Sequence, residues 1–181
     1  MATVINSFAI IGIDSYRVEA ETVTMYGHPS ITIVGLGDTA IKESRQRLEA
    51  AINYAGYEFP KMKIAINLAP GDIKKSGSHF DLSMAVGLLV ETSQLPVDGE
   101  TLNGYGFIGE LSFNAILRPC GGVLPMAIAA RDAGIKKLII PADNIREASL
   151  VQGIEVFGFN DLNSVVNYLE GKESYVVPDA K

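Results

Sequence analysis

The sequence predicts an α+β domain in which a sheet carries its helices mainly on one side. Three observations predict it. Strand-like runs come first in a cluster, at 2–11, 16–26 and 30–34. Apolar residues then recur at spacings of three and four over 38–55 and again over 81–89. Beyond residue 104, short strand-like runs alternate with helical ones.

The elements follow in order. Gly12-Ile13-Asp14 is a tight turn between the first two strands, and Gly27-His28-Pro29 turns into the third, so residues 2–34 read as a three-stranded meander. Asp38 then caps a helix in which Ile41, Leu48, Ile52 and Ala55 share a face, and Gly56 ends it. In 61–89 Ile64, Ile66 and Leu68 alternate with Lys63, Ala65 and Asn67, Pro70-Gly71 stops the strand, and a polar loop follows. Asp81 caps the next helix, whose Leu82, Ala85, Val86, Leu88 and Leu89 make it too apolar for the surface. A polar connector around 96–103 leads to a strand at 104–111. Gly121-Gly122 opens a helix containing Leu124, Ala127 and Ile128, with Pro125 in its first turn. A strand at 137–140, a short helix at 144–151, a strand at 154–159 and a helix at 161–169 capped by Asp161 complete the pattern; 171–181 shows no periodicity.

At 181 residues with 48% hydrophobic content the chain is long enough for one packed core. No apolar run approaches the roughly 18 residues a membrane span needs, and residues 1–14 lack a basic segment and a cleavage site, so a cytoplasmic protein is expected. One cysteine, Cys120, excludes an internal disulfide, and with only His28 and His79 besides, no metal site is expected. The net charge of −6 argues against DNA binding by the whole surface. Seven of the 15 basic residues nevertheless fall between 42 and 75, which fits either a solvated mixed-charge surface or a weakly basic face on an acidic body.

No phosphate-cradling P-loop string is present. Gly35-Leu36-Gly37 lacks the third glycine of a dinucleotide loop, Ala40 standing in its place, and reads as a strand-to-helix turn. Ser76, Ser78, His79 and Asp81 lie within six residues, but sequence neighbours seldom meet as a triad, so they read as loop residues preceding a capped helix. Cys120 reads as a small hydrophobe rather than a reactive thiol, and Arg118 as a solvated strand residue.

Four blocks, VGLGDTAIKESRQRLEAAI, INLAPGDIKKSGSHFDLSMAVGLL, GELSFNAILRPCGGVLPMAIAARDAG and LIIPADNIREASLVQGIEVFGFNDLNSVVNYL, occur in the order and at the spacing of one family. They resemble the N-terminal domain of the ComM/YifB family, the magnesium-chelatase-like AAA+ ATPases. Gly37 departs from it, since the family usually has proline after Gly-Leu. The resemblance implies a fold like the Lon proteolytic domain, of the ribosomal S5 domain 2 type. It also implies a domain over 1–170, with 171–181 as a tail or linker toward an AAA+ module, the chain being a piece that stops before the Walker A segment. ATP and Mg would belong to that module, with no cofactor in this fragment, and the longer protein would form a homo-oligomeric ring.

Lon-type proteolysis uses a Ser-Lys dyad, the serine in a Lys-Asp-Gly-Pro-Ser-Ala-Gly loop and the lysine two residues after Gly-Gly. Aligning Gly77 and Gly121-Gly122 places His79 at the nucleophile position and Leu124 at the lysine position, which implies no peptidase activity. The family role implied is to help a ring assemble or engage DNA during branch migration and natural transformation. The candidate contacts are Lys74, Lys75 and His79, with Arg45 and Arg47 as a second set. The rival expectation is a peptide- or protein-docking module, or a residual peptidase. Net acidity favours that rival, and the absence of tryptophan removes one kind of stacking platform for single strands. Magnesium insertion into porphyrin has no residue support here.

Overall fold

A computed structural model describes residues 2–71, 73 and 75–177. Strands β1 (Thr3–Ile11) and β2 (Asp14–Met25) form an antiparallel hairpin closed at Ile11 and Asp14. Then come β3 (Ser30–Val34), α1 (Asp38–Tyr54), β4 (Lys63–Ala69) and α2 (Asp81–Glu91). The connector at 96–103 holds a short helix, α3 (Gly99–Asn103), capped by Asp98, which accepts from Thr101 N at 2.7 Å. The strand expected at 104–111 is two strands, β5 (Tyr105–Phe107) and β6 (Glu110–Leu111), because the chain leaves the main sheet between them. Among the described residues, strand β6 pairs only with β7 (Leu117–Arg118). Helix α4 (Val123–Asp132), β8 (Lys137–Pro141), α5 (Ile145–Ala148), β9 (Glu155–Phe159) and α6 (Leu162–Leu169) follow. Among the described residues no helix is long and apolar enough to cross a membrane.

The α+β class holds, but the expected meander does not. The main sheet runs β3-β4-β2-β1-β5-β8-β9, so β4 lies between β2 and β3. The reason is the 17-residue α1: a strand followed by a crossover helix returns parallel to its starting strand. Strand β4 therefore pairs parallel with β3 and antiparallel with β2.

Side-chain alternation assigns the two faces. Ile5 and Ala9 of β1 and Val18 and Ala20 of β2 join the core under α1, α2 and α6, whereas Phe8 joins a second cluster with α4 and α5. The helices thus cover one face along most of the sheet, as expected, and α4 and α5 add a layer on the other. Strand β8 requires that layer, because Leu138, Ile139 and Ile140 are all buried, and a parallel strand buried on both faces needs cover on both. Helix α2 is buried from Asp81 to Leu89. It approaches the sheet so closely at Gly87 that a Cβ would lie 2.9 Å from Thr22 Oγ1. After α6 the chain docks through Tyr175, whose ring meets Phe157 and Phe159 edge-on and whose hydroxyl accepts from Gly158 N at 3.0 Å.

Candidate functional site

The loop between β4 and α2 carries most of the side chains that the sequence singles out. Lys74, with Asp72, lies outside the described residues. Lys75 does not project as a cation: it is 4% exposed, and its ammonium donates to the carbonyls of Leu68 (2.6 Å), Ile73 (2.6 Å) and Pro70. Its backbone N–H donates to Gly35 O at 2.7 Å, bridging the loop to the entrance of α1. An ammonium among carbonyls offsets its desolvation by hydrogen bonding and holds the turn from inside. Lys75, expected as a loop contact, thus has its ammonium turned onto backbone carbonyls of its own loop.

His79 is likewise committed. Its Nε2 donates to Phe8 O at 2.7 Å, and its ring lies against Phe80 with centroids 4.1 Å apart. Burial pushes the imidazole below its ordinary value, although the Phe8 carbonyl pulls the other way. Its burial thus disfavours the charged form that a phosphate contact would use. Leu124, which the resemblance aligns with the Lon lysine, sits in the first turn of α4 and packs against the second core. Of the glycine pair before it, Gly122 is the one the backbone needs. Gly122 has φ +76°, and a Cβ there would collide with Ile10 Cδ1.

Asp81 is not a cap. Phe80 occupies the cap position of α2, and the fully buried Asp81 carboxylate accepts from Arg47 Nε (2.6 Å), Arg47 Nη2 (3.2 Å) and Leu111 N (3.1 Å). Arg47 also donates to Ser44 Oγ at 3.1 Å. Burial pushes the carboxyl up to about 6, outweighing Arg47 and the Leu111 N–H, which pull it down. On Arg47, burial is the largest single influence and lowers the pKa, yet Asp81, Glu110 and Glu43 together raise it. The pair ties α1, α2 and β6 together; it is a fastener rather than an exposed acid. Asp38 is not a cap either, since Gly37 precedes α1 without a side-chain cap.

Arg47 also forms part of the wall of a cleft of about 650 Å³ between α1 and the β6–β7 pair. Tyr54 and Phe113 are exposed at its sides, and Arg118 lies on its rim. Sequence reasoning missed this cleft and the Arg47–Asp81 pair. One signal was available: Arg47 stands three residues after Ser44 and beside Leu48 on the stripe that α1 buries. Of the candidate cations among the described residues, only Arg45 is exposed. Cys120 is half-buried and its thiol is pushed up to about 11 by burial, consistent with an inert side chain. Among the described residues no group of three or more His, Cys, Asp or Glu could hold a metal ion.

Residues 18–144 match the family model described as subunit ChlI of Mg-chelatase. YifB of Escherichia coli is 35% identical over 176 residues, covering 97% of this chain and 34% of YifB. Competence protein ComM of Haemophilus influenzae is 35% identical over 170 residues, 94% of this chain and 33% of ComM. Lon protease 2 of Bacillus subtilis is 27% identical over 183 residues, 91% of this chain and 32% of that protease. The chain thus spans about a third of the length of the curated relatives it matches.

Proposed function

Given that the chain belongs to the magnesium-chelatase-like ComM/YifB family, we propose that it is a non-catalytic, Lon-like docking module through which an ATP- and Mg-dependent ring engages its partners. The observation that carries this reading is the internal commitment of the loop. Lys75 holds backbone carbonyls, and His79, at the nucleophile position, donates to Phe8 O. A hydroxyl such as that of Ser78 has no lysine in the dyad position to deprotonate it, because Leu124 stands there. The loop acts as a strut, and recognition falls to the surface around it.

A second reading, contact with DNA during branch migration in natural transformation, draws on the family resemblance and on one observation: Arg45 is exposed in a region that also holds Lys42 and Lys61. Phosphate contact asks only for clustered cations. Binding of a labelled single strand and a four-way junction, titrated with salt, separates the two readings. Protein docking predicts no salt-sensitive binding that Arg45→Glu abolishes. Binding that is salt-sensitive and lost in Arg45→Glu would transfer the function to DNA.

A further inference from the structure

Strand β3 ends the main sheet, and β4 is its only strand partner among the described residues. In a parallel pair, alternate residues turn both backbone groups toward the neighbour. Ser30 is paired with Lys63 and donates its N–H to Met62 O at 3.3 Å. Ser30, Thr32 and Val34 therefore face β4, and the N–H and C=O groups of Ile31 and Ile33 point outward, toward an open edge. An open edge is a template for another extended chain.

A groove lies along this edge, between β3 and α1. Two hollows of about 470 and 280 Å³ share Ile31, Arg45 and Glu49, so they form one trough. Ile31 and Phe59 give it an apolar floor. Lys42, Arg45 and Lys61 are exposed along it, and none of the three has a carboxylate within ion-pairing distance among the described residues. Glu49 and Glu58 are the carboxylates of the trough, leaving it with an excess of positive charge on a chain whose net charge is −6.

We propose that this groove receives an extended acidic segment of a partner protein, added as a further strand beside β3. The inference rests on the docking-module reading and names the class of partner. Main-chain hydrogen bonds to Ile31 and Ile33 supply register, while every second side chain of the added strand enters the groove. An apolar residue fits over Ile31, and Asp or Glu meets Lys42, Arg45 or Lys61. A nucleic acid strand fits less well, because it cannot use the outward backbone groups as a strand does.

The test selects random displayed decapeptides on the purified chain. The expected result is enrichment of peptides that alternate apolar and acidic residues. These bind the Lys42→Glu/Arg45→Glu protein at least tenfold more weakly, at an unchanged urea midpoint, and they slow hydrogen exchange at the Ile31 and Ile33 amides. Ile31→Pro, which removes an outward N–H without touching the β4 ladder, weakens them as well. Several results would overturn the proposal: no enrichment, enrichment of basic or uncharged peptides, equal binding by the double variant, or unprotected Ile31 and Ile33 amides. Tighter binding of a single-stranded oligonucleotide of equal charge would assign the groove to nucleic acid, and self-association that protects those amides would assign it to a second copy. Casein hydrolysis, by contrast, would sink the docking-module reading and leave the peptide result standing.

Discussion

Replacing Arg47 by alanine leaves the Asp81 carboxylate inside α2 with only the Leu111 N–H as a partner among the described residues. Removing one member of a buried pair costs about 3–5 kcal/mol. The Arg47 side chain is 16% exposed, so water reaches part of the gap and the lower end, about 3 kcal/mol, is expected. The loss depends on pH, and its sign can be worked out. The folded carboxyl lies at about 6 against an ordinary 3.8, so its contribution to stability is full below 3.8 and is lost as pH rises through 6. That difference of about two units corresponds to about 3 kcal/mol between acid and neutral solution. Without Arg47, one of the influences that lower the value is gone, and the window of loss extends further upward. Urea denaturation of both proteins at pH 5 and pH 8 should show a difference of about 3 kcal/mol at pH 8 and a clearly smaller one at pH 5. A difference below about 1 kcal/mol at pH 8, or the same difference at both pH values, would refute the fastening role.

Other outcomes follow from the same geometry. His79, held below its ordinary value, contributes stability that is present above pH 6.5 and lost as pH falls through its folded value; His79→Gln should flatten that acid-side loss in urea midpoints from pH 7 to 5. Gly122→Ala should cost about 1–3 kcal/mol, read by thermal melting, since the added Cβ meets Ile10 at a positive φ. Lys75→Met should cost about 2 kcal/mol by leaving loop carbonyls unsatisfied, measured by urea denaturation, with loss of exchange protection at its own amide to Gly35. Tyr175→Ala, removing three edge-on aromatic contacts and the partner of Gly158 N, should lower stability by about 1–2 kcal/mol and make 171–177 susceptible to proteolysis.

Much of the fold was legible because it is written locally. The period-two run at 64–68 and the apolar α2 each carry their own signal, and Asp161 caps α6 as its position suggests, accepting from Ser164 N at 2.8 Å. Strand order was not legible, because nothing within 2–34 says that a strand thirty residues later will separate β2 from β3. Asp81 misled for a related reason. An acid before an apolar helix looks like a cap, and its true partner is Arg47, 34 positions away. Lys75 misled because composition shows a cation in a polar loop, while only the backbone path shows the ammonium turned onto carbonyls. The basic bias of 42–75 resolves into unlike parts: Lys75 and Arg47 are spent internally, whereas Lys42, Arg45 and Lys61 line the edge of β3.

The central claim, that the loop before α2 is a strut rather than a reactive site, is tested most directly by incubating the purified chain and its Ser78→Ala variant with unfolded casein. The account predicts no hydrolysis by either protein. Measurable hydrolysis by the parent chain that Ser78→Ala abolishes would contradict it.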